Sequence, residues 1–358
     1  MVRSHAAGWL VVMPITTPAK PIRLRTPAEI VGAVPYFLGF PPQNSLVVIA
    51  LSGELNRSGV VARVDLPAPT WAAQLAEQTV GYLQRDGAER AILVFYPPSD
   101  GPRHPSVGAI AAAHRERLPA ASIEIAEMLC VGADRWWSLS CDSGCCPEEG
   151  TPIDPEHLSA VAVASAISGV VLLSSRDELV RSLEPVGGLA AAAMSHALWP
   201  MRAALAARGD AGDRFAVVDE SLGLFRHAVG ERLGGGHSVR PLDVDEAARL
   251  IVGLDDVVVR DTMISWFDGD WGAATLSLFA ELVPRAVPPF HIVPLTVLGW
   301  LSYLKGNGAL AGIAVDRVLE TGPGNGMLRI LDDALRAALP PSTFQTSMRG
   351  LREILARP

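Results

Sequence analysis

Between Thr26 and Val131, short apolar runs rich in β-branched residues alternate with stretches of helical period. Thr26 before Pro27 has the form of a helix cap followed by a first-turn proline, and predicts a helix running to about Leu38. Ser45 to Leu51 and Val60 to Leu66 read as strands joined through the glycine-bounded turn Gly53 to Gly59, which makes them a hairpin. Helical period returns from Thr70 to Arg85 and near Ser106 to Arg117. Ala91 to Tyr96, Ser122 to Val131 and Arg135 to Leu139 read as further strands. The hairpin requires antiparallel pairing and the later crossovers favour parallel pairing, so the sheet is expected to be mixed.

From Pro155 onward, helical segments are separated by Gly, Pro and Asp signals. The fold class expected is an α/β N-terminal domain with a mixed β-sheet over residues 21–154, followed by an all-α helical domain over residues 155–358. Residues 1–20 read as a poorly ordered leader, because the apolar patch Trp9 to Met13 is too short to span a membrane. Leu158 to Ser175 carries no charge. It reads as a buried helix followed by an extended Val170 to Leu173 run, with a new helix beginning at the box-like Ser175-Arg176-Asp177-Glu178. A membrane span is the lesser alternative for the same residues. Gly209 to Asp213 and Gly234 to Ser238 read as linkers. Leu298-Gly299, Ala311 and Pro323 match part of the tetratricopeptide signature, so a single tetratricopeptide-like hairpin is expected in the helical domain, without a second copy to form an array.

Charge narrows the function classes. The chain carries 38 acidic and 30 basic residues, for a net charge of -8, and so lacks the overall positive field that attracts nucleic acid. Lys20 and Lys305 are its two lysines, and neither lies in a phosphate-binding or Schiff-base setting. No metalloprotease, α/β-hydrolase or paired zinc-finger spacing occurs. Gly322, Gly324 and Gly326 follow a helix, which is the wrong context for a dinucleotide turn. Ser302-Tyr303-Leu304-Lys305 lacks the companion motifs of the penicillin-recognising enzymes.

Several separated phrases agree in order with one family. They are Pro35-Tyr36-Phe37-Leu38-Gly39-Phe40 with Pro42 and Ser45; Arg63-Val64-Asp65-Leu66-Pro67; Arg135-Trp136-Trp137-Ser138-Leu139 with Cys141, Cys145-Cys146-Pro147 and Gly150; Val259-Arg260-Asp261; and Gly306 to Arg317. In these the chain resembles the actinobacterial family known as domain of unknown function 4192. The resemblance implies a cytoplasmic protein from a GC-rich organism, in keeping with arginine displacing lysine. It implies no catalytic residues.

Three groups of residues can carry chemistry. Cys141, Cys145 and Cys146 lie within one tight segment and can converge on a zinc ion, with His157 or Cys130 as the fourth ligand; a packed turn of reduced cysteines is the simpler reading. Arg63 and Asp65 share a strand face by the two-residue period. If the hairpin is symmetric about its turn, Val47 falls opposite Asp65 and Ser45 lies diagonal to it, so that Asn44, Ser45, Arg63 and Asp65 gather in a small open cleft. Such a set suits an anionic or hydrogen-bonding ligand; the alternative is an ion pair that ties the sheet to its loops. Arg135, with Trp136 and Trp137, can clamp a planar ligand, or the two rings can cover the two faces of the sheet. His104 lies in a loop after a strand, a common position for functional residues.

The leading expectation is an intracellular, cytoplasmic binding or regulatory protein, with a small anionic or polar ligand at Asn44, Ser45, Arg63, Asp65 and Arg135. The helical domain would engage a protein partner, with neither nucleic acid nor membrane involved. The alternative is an enzyme of unassigned class at the Ser45, Arg63 and Asp65 end of the sheet, with a cysteine-bound zinc nearby.

Overall fold

The computed structural model describes residues 10–12, 24–54, 56–99, 101–141, 146–154, 172–234, 239–322, 324–337 and 339–355. The chain divides into two compact units. One comprises Met1–Arg176, Gly306–Ala309 and Ala334–Pro340, and the other comprises Asp177–Lys305, Leu310–Asp333 and Pro341–Pro358.

The first unit is built in the order β1 (Leu10–Val12), α1 (Pro27–Leu38), β2 (Ser45–Ser52), β3 (Arg57–Asp65), α2 (Ala72–Arg85), β4 (Arg90–Tyr96), α3 (Pro105–Ala120), β5 (Glu124–Val131), β6 (Arg135–Ser138) and β7 (Thr151–Pro152). These strands form one mixed sheet in the order β1-β3-β2-β4-β5-β6-β7. Its β4–β5 pair is parallel and the other pairs are antiparallel. Leu10–Val12 were expected in a poorly ordered leader. Instead they pair with Val61–Arg63, because a short β-branched run meets the otherwise open edge of β3.

Helix α1 begins as its sequence requires. The Thr26 hydroxyl accepts from Glu29 N–H at 3.2 Å, and the Glu29 carboxylate accepts from Thr26 N–H at 3.3 Å, closing a capping box. Thr26→Ala is expected to cost about 1 kcal/mol, read as a lower denaturant midpoint with unchanged slope.

One sheet face, carrying Leu46, Val48, Val64, Leu93, Phe95 and Cys130, forms a core with residues of α2 and α3. The opposite face is buried too, at Val47, Ile49, Val61, Val94 and Leu129. Strands covered on both sides have no need to alternate apolar and polar positions, which explains the continuous apolar runs in β2 and β4.

The other helices are α4 (Arg176–Ser182), α5 (Gly188–Arg208), α6 (Arg214–Gly234), α7 (Val244–Gly253), α8 (Val257–Ser265), α9 (Gly269–Leu282), α10 (Ile292–Leu304), α11 (Gly308–Thr321), α12 (Gly326–Arg336) and α13 (Ser342–Leu355). The expected linker at Gly209 to Asp213 is a short kinked turn that joins α5 to α6. Gly212, at φ 89°, supplies its left-handed residue, and Arg208 pins it through Asp213 and Glu220. In α10, a Cβ placed on Gly299 would lie 3.5 Å from Ala314 Cβ of α11, so small residues allow these two helices to approach closely. Pro323 lies outside the described residues, as do 155–171 and 235–238, which hold most of the uncharged run and of the second expected linker. Leu172 and Leu173 are not in a strand. Among the described residues, no helix is long and apolar enough to cross a membrane.

Candidate functional site

Three strands end together in one polar row. Ser45 opens β2 and pairs with Asp65 at the end of β3 on one side and with Tyr96 at the end of β4 on the other. Directly opposed residues share a face, so all three side chains emerge on the same side of the sheet. Arg63, two positions before Asp65 and opposite Val47, joins them on that face. The expected register was displaced by two residues. The strand β3 begins at Arg57, earlier than its apolar run suggests, and an irregularity between Ile49 and Leu51 absorbs one more position.

The expected open cleft does not form. Ser45 is 0% exposed, and Arg63 and Tyr96 are each 7% exposed. The Asp65 side chain reaches well into solvent, at 58%. Arg63 Nη2 donates to Asp65 Oδ1 at 2.6 Å and to the Gln43 carbonyl at 3.1 Å. Asn44, held at φ 43°, accepts from Leu66 N–H through its carbonyl at 2.9 Å. These contacts tie the end of β3 to the turn that precedes β2, a structural task.

That task leaves part of the row unused. Among the described residues, Ser45 Oγ, Arg63 Nε and Tyr96 Oη are buried without a hydrogen-bond partner. Each such group costs about 1–3 kcal/mol. Burial also pushes the Tyr96 phenol above its ordinary value, so it remains a donor. Burial lowers the pKa of the Arg63 guanidinium, Asp65 opposes that shift, and the like charge of Arg176 adds to it. The segment leading to Arg176 reaches the same turn, since Leu173 N–H donates to the Gly39 carbonyl at 3.0 Å.

Arg135 is not brought into this row. By register it shares a face with Trp137 and Cys130, on the α2 and α3 side, and its Nη1 donates to the Gly150 carbonyl at 2.8 Å. Trp137 serves the same loop. Its indole N–H donates to the Glu148 carbonyl at 3.1 Å, and a Cβ on Gly150, which has φ 82°, would lie 2.5 Å from the ring. Gly101 and Gly132 approach the same ring, so Trp137 stacks on backbone and Trp136 is buried on the other face.

Cys141 and Cys146 are partly buried, while Cys145 and His157 lie outside the described residues. Among the described residues, no group of three metal-ligating side chains converges. Cys130 belongs to the apolar core, where burial pushes its thiol up to about 12, so it is protonated at neutral pH. His104 stands at the N-cap position of α3 without a side-chain capping bond, and its Nδ1 is buried and unpartnered among the described residues.

Sequence reasoning missed Tyr96 and Arg176. Tyr96 is the last residue of an apolar run, and only the strand order, with β2 between β3 and β4, sets it beside Ser45. The row stands at the carboxyl ends of parallel β4 and β5, the end of an open α/β sheet where ligands are held.

Fold and row together describe a two-part chain, a mixed-sheet half with a buried donor cluster and a helical half. The chain belongs to the family described as Domain of unknown function (DUF4192), whose model matches residues 27–342. No curated protein and no solved structure matches it.

Proposed function

We propose that this is a cytoplasmic binding or regulatory protein. Its α/β half holds a small polar or anionic ligand at Ser45, Arg63 and Tyr96, and its helical half engages a protein partner, without nucleic acid or membrane. The observation that carries the ligand reading is that three buried, unpartnered groups stand on neighbouring strands of one sheet face. A fold does not retain such groups together without some return, and a ligand that satisfies them supplies one.

The partner reading is supported by α5. This helix is rich in Ala, Leu and Met, yet Met194 and Leu198 are its only buried residues, and Leu189 and Trp199 are exposed. Ala197, Pro200 and Met201 line a groove with Val244 of α7. Exposed apolar surface of this kind marks interaction sites.

Thermal unfolding of the full chain tests the ligand reading. Phosphate, acetate and a neutral polyol are each added at the same millimolar concentration and at constant ionic strength. At least one should raise the midpoint by a few degrees, roughly 2–4 °C per kcal/mol of linkage. The Ser45→Ala/Tyr96→Phe double variant should lose that rise. No rise with any probe, or an equal rise in the double variant, would contradict the reading.

A further inference from the structure

The three unpartnered groups differ from a generic polar patch in one respect: all of them can donate. Arg63 Nε–H has no other capacity, the Tyr96 phenol is held protonated by burial, and the Ser45 hydroxyl is free to turn. A bound group that satisfies all three must accept from Arg63 Nε, and both hydroxyls can donate to the same group.

Charge points the same way. The Arg63 and Arg176 guanidinium groups interact as like charges, and Asp65 is the carboxylate paired with Arg63. Of the charges that act on Arg63, one is a carboxylate that holds it and one is a like charge that an incoming anion would offset. Asp65 holds Nη2 and leaves Nε unused, so the planar fork is only partly engaged. Because its carboxylate is 58% exposed, water can take over its charge at little cost if the guanidinium turns to another acceptor. Asp65 and Asn44 are the exposed residues beside the row.

We infer, on the reading just given that the row holds a ligand, that the bound group is an oxyanion, phosphoryl or carboxylate. It accepts from Arg63 Nε, Ser45 Oγ and Tyr96 Oη together, and Asp65 competes with it for the guanidinium. Asp65 is then an internal stand-in for the ligand's charge. Binding shifts Arg63 from its own strand neighbour to the incoming group, without covalent chemistry.

Calorimetric titration of the full chain with inorganic phosphate, with acetate and with the neutral polyol, each separately and with sodium chloride held constant, tests this. One of the two oxyanions should bind, and which one identifies the phosphoryl or the carboxylate source. Asp65→Asn, a change at an exposed carboxylate that the fold should tolerate, should tighten that binding by about tenfold, equivalent to about 1.4 kcal/mol. Arg63→Lys, which keeps the charge but lacks the Nε donor, should weaken it by about tenfold or more, as should Tyr96→Phe. Unchanged or weaker binding by Asp65→Asn would overturn the competition. Binding of the neutral polyol, with neither oxyanion bound, would overturn the oxyanion and leave the ligand reading standing. Failure of every probe would remove both.

Discussion

Truncating Trp300 to alanine should lower the unfolding free energy by about 3–5 kcal/mol, a large part of the 5–15 kcal/mol that a folded domain typically has. The ring is 1% exposed in α10. It packs edge-on against Tyr303 and against Phe344 of α13, with centroids 5.9 and 5.3 Å apart, and its indole N–H donates to the Met327 carbonyl at 2.9 Å. One substitution thus opens a cavity where α10, α12 and α13 meet and removes the donor that the Met327 carbonyl accepts from. Urea unfolding followed by helical circular dichroism measures the loss. A change below about 1 kcal/mol would show that these helices are held by something other than this aromatic cluster.

Acidification should cost the α/β half about 3 kcal/mol through His114 alone. This residue is fully buried between α3 and α2. Its Nδ1–H donates to the Ile110 carbonyl at 2.8 Å, and its Nε2 lies 3.1 Å from the Thr79 hydroxyl. Burial is the largest effect and drives the imidazole down to about 4 from its ordinary 6.5, and the Ile110 carbonyl only partly offsets it. The sign follows from that direction. A group whose folded value is depressed contributes stability that is fully present above pH 6.5 and is lost as the pH falls through 4. Unfolding free energy measured across that window should therefore slope downward, and His114→Leu should flatten the part due to this residue. Equal slopes in the two proteins would assign the acid sensitivity to carboxylates instead.

The elements were legible in the sequence where one local signal decided them. Thr26-Pro27 fixed the start of α1, and the β-branched runs marked β2, β4 and β5. The two-residue period correctly set Arg63 and Asp65 on a common face. Register was not legible, because it depends on where β3 begins and on an irregularity in β2 that leaves no mark in the hydrophobic pattern. Strand order was not legible either, and it is what puts Tyr96 beside Ser45. Arg135 looked like a ligand contact because it adjoins two tryptophans. Its parity on β6 sends it to the far face, where backbone carbonyls take up its guanidinium. Burial of the row came from tertiary packing, which a polar face on a strand does not foretell.

An experimental electron-density map of the full chain, grown with the oxyanion that binds in titration, tests the donor row most directly. Tetrahedral or planar density should lie within hydrogen-bond distance of Ser45 Oγ, Arg63 Nε and Tyr96 Oη, with the Asp65 carboxylate turned toward solvent. A closed row in which those three atoms bond to one another or to neighbouring protein groups, with Arg63 still held by Asp65, would contradict it.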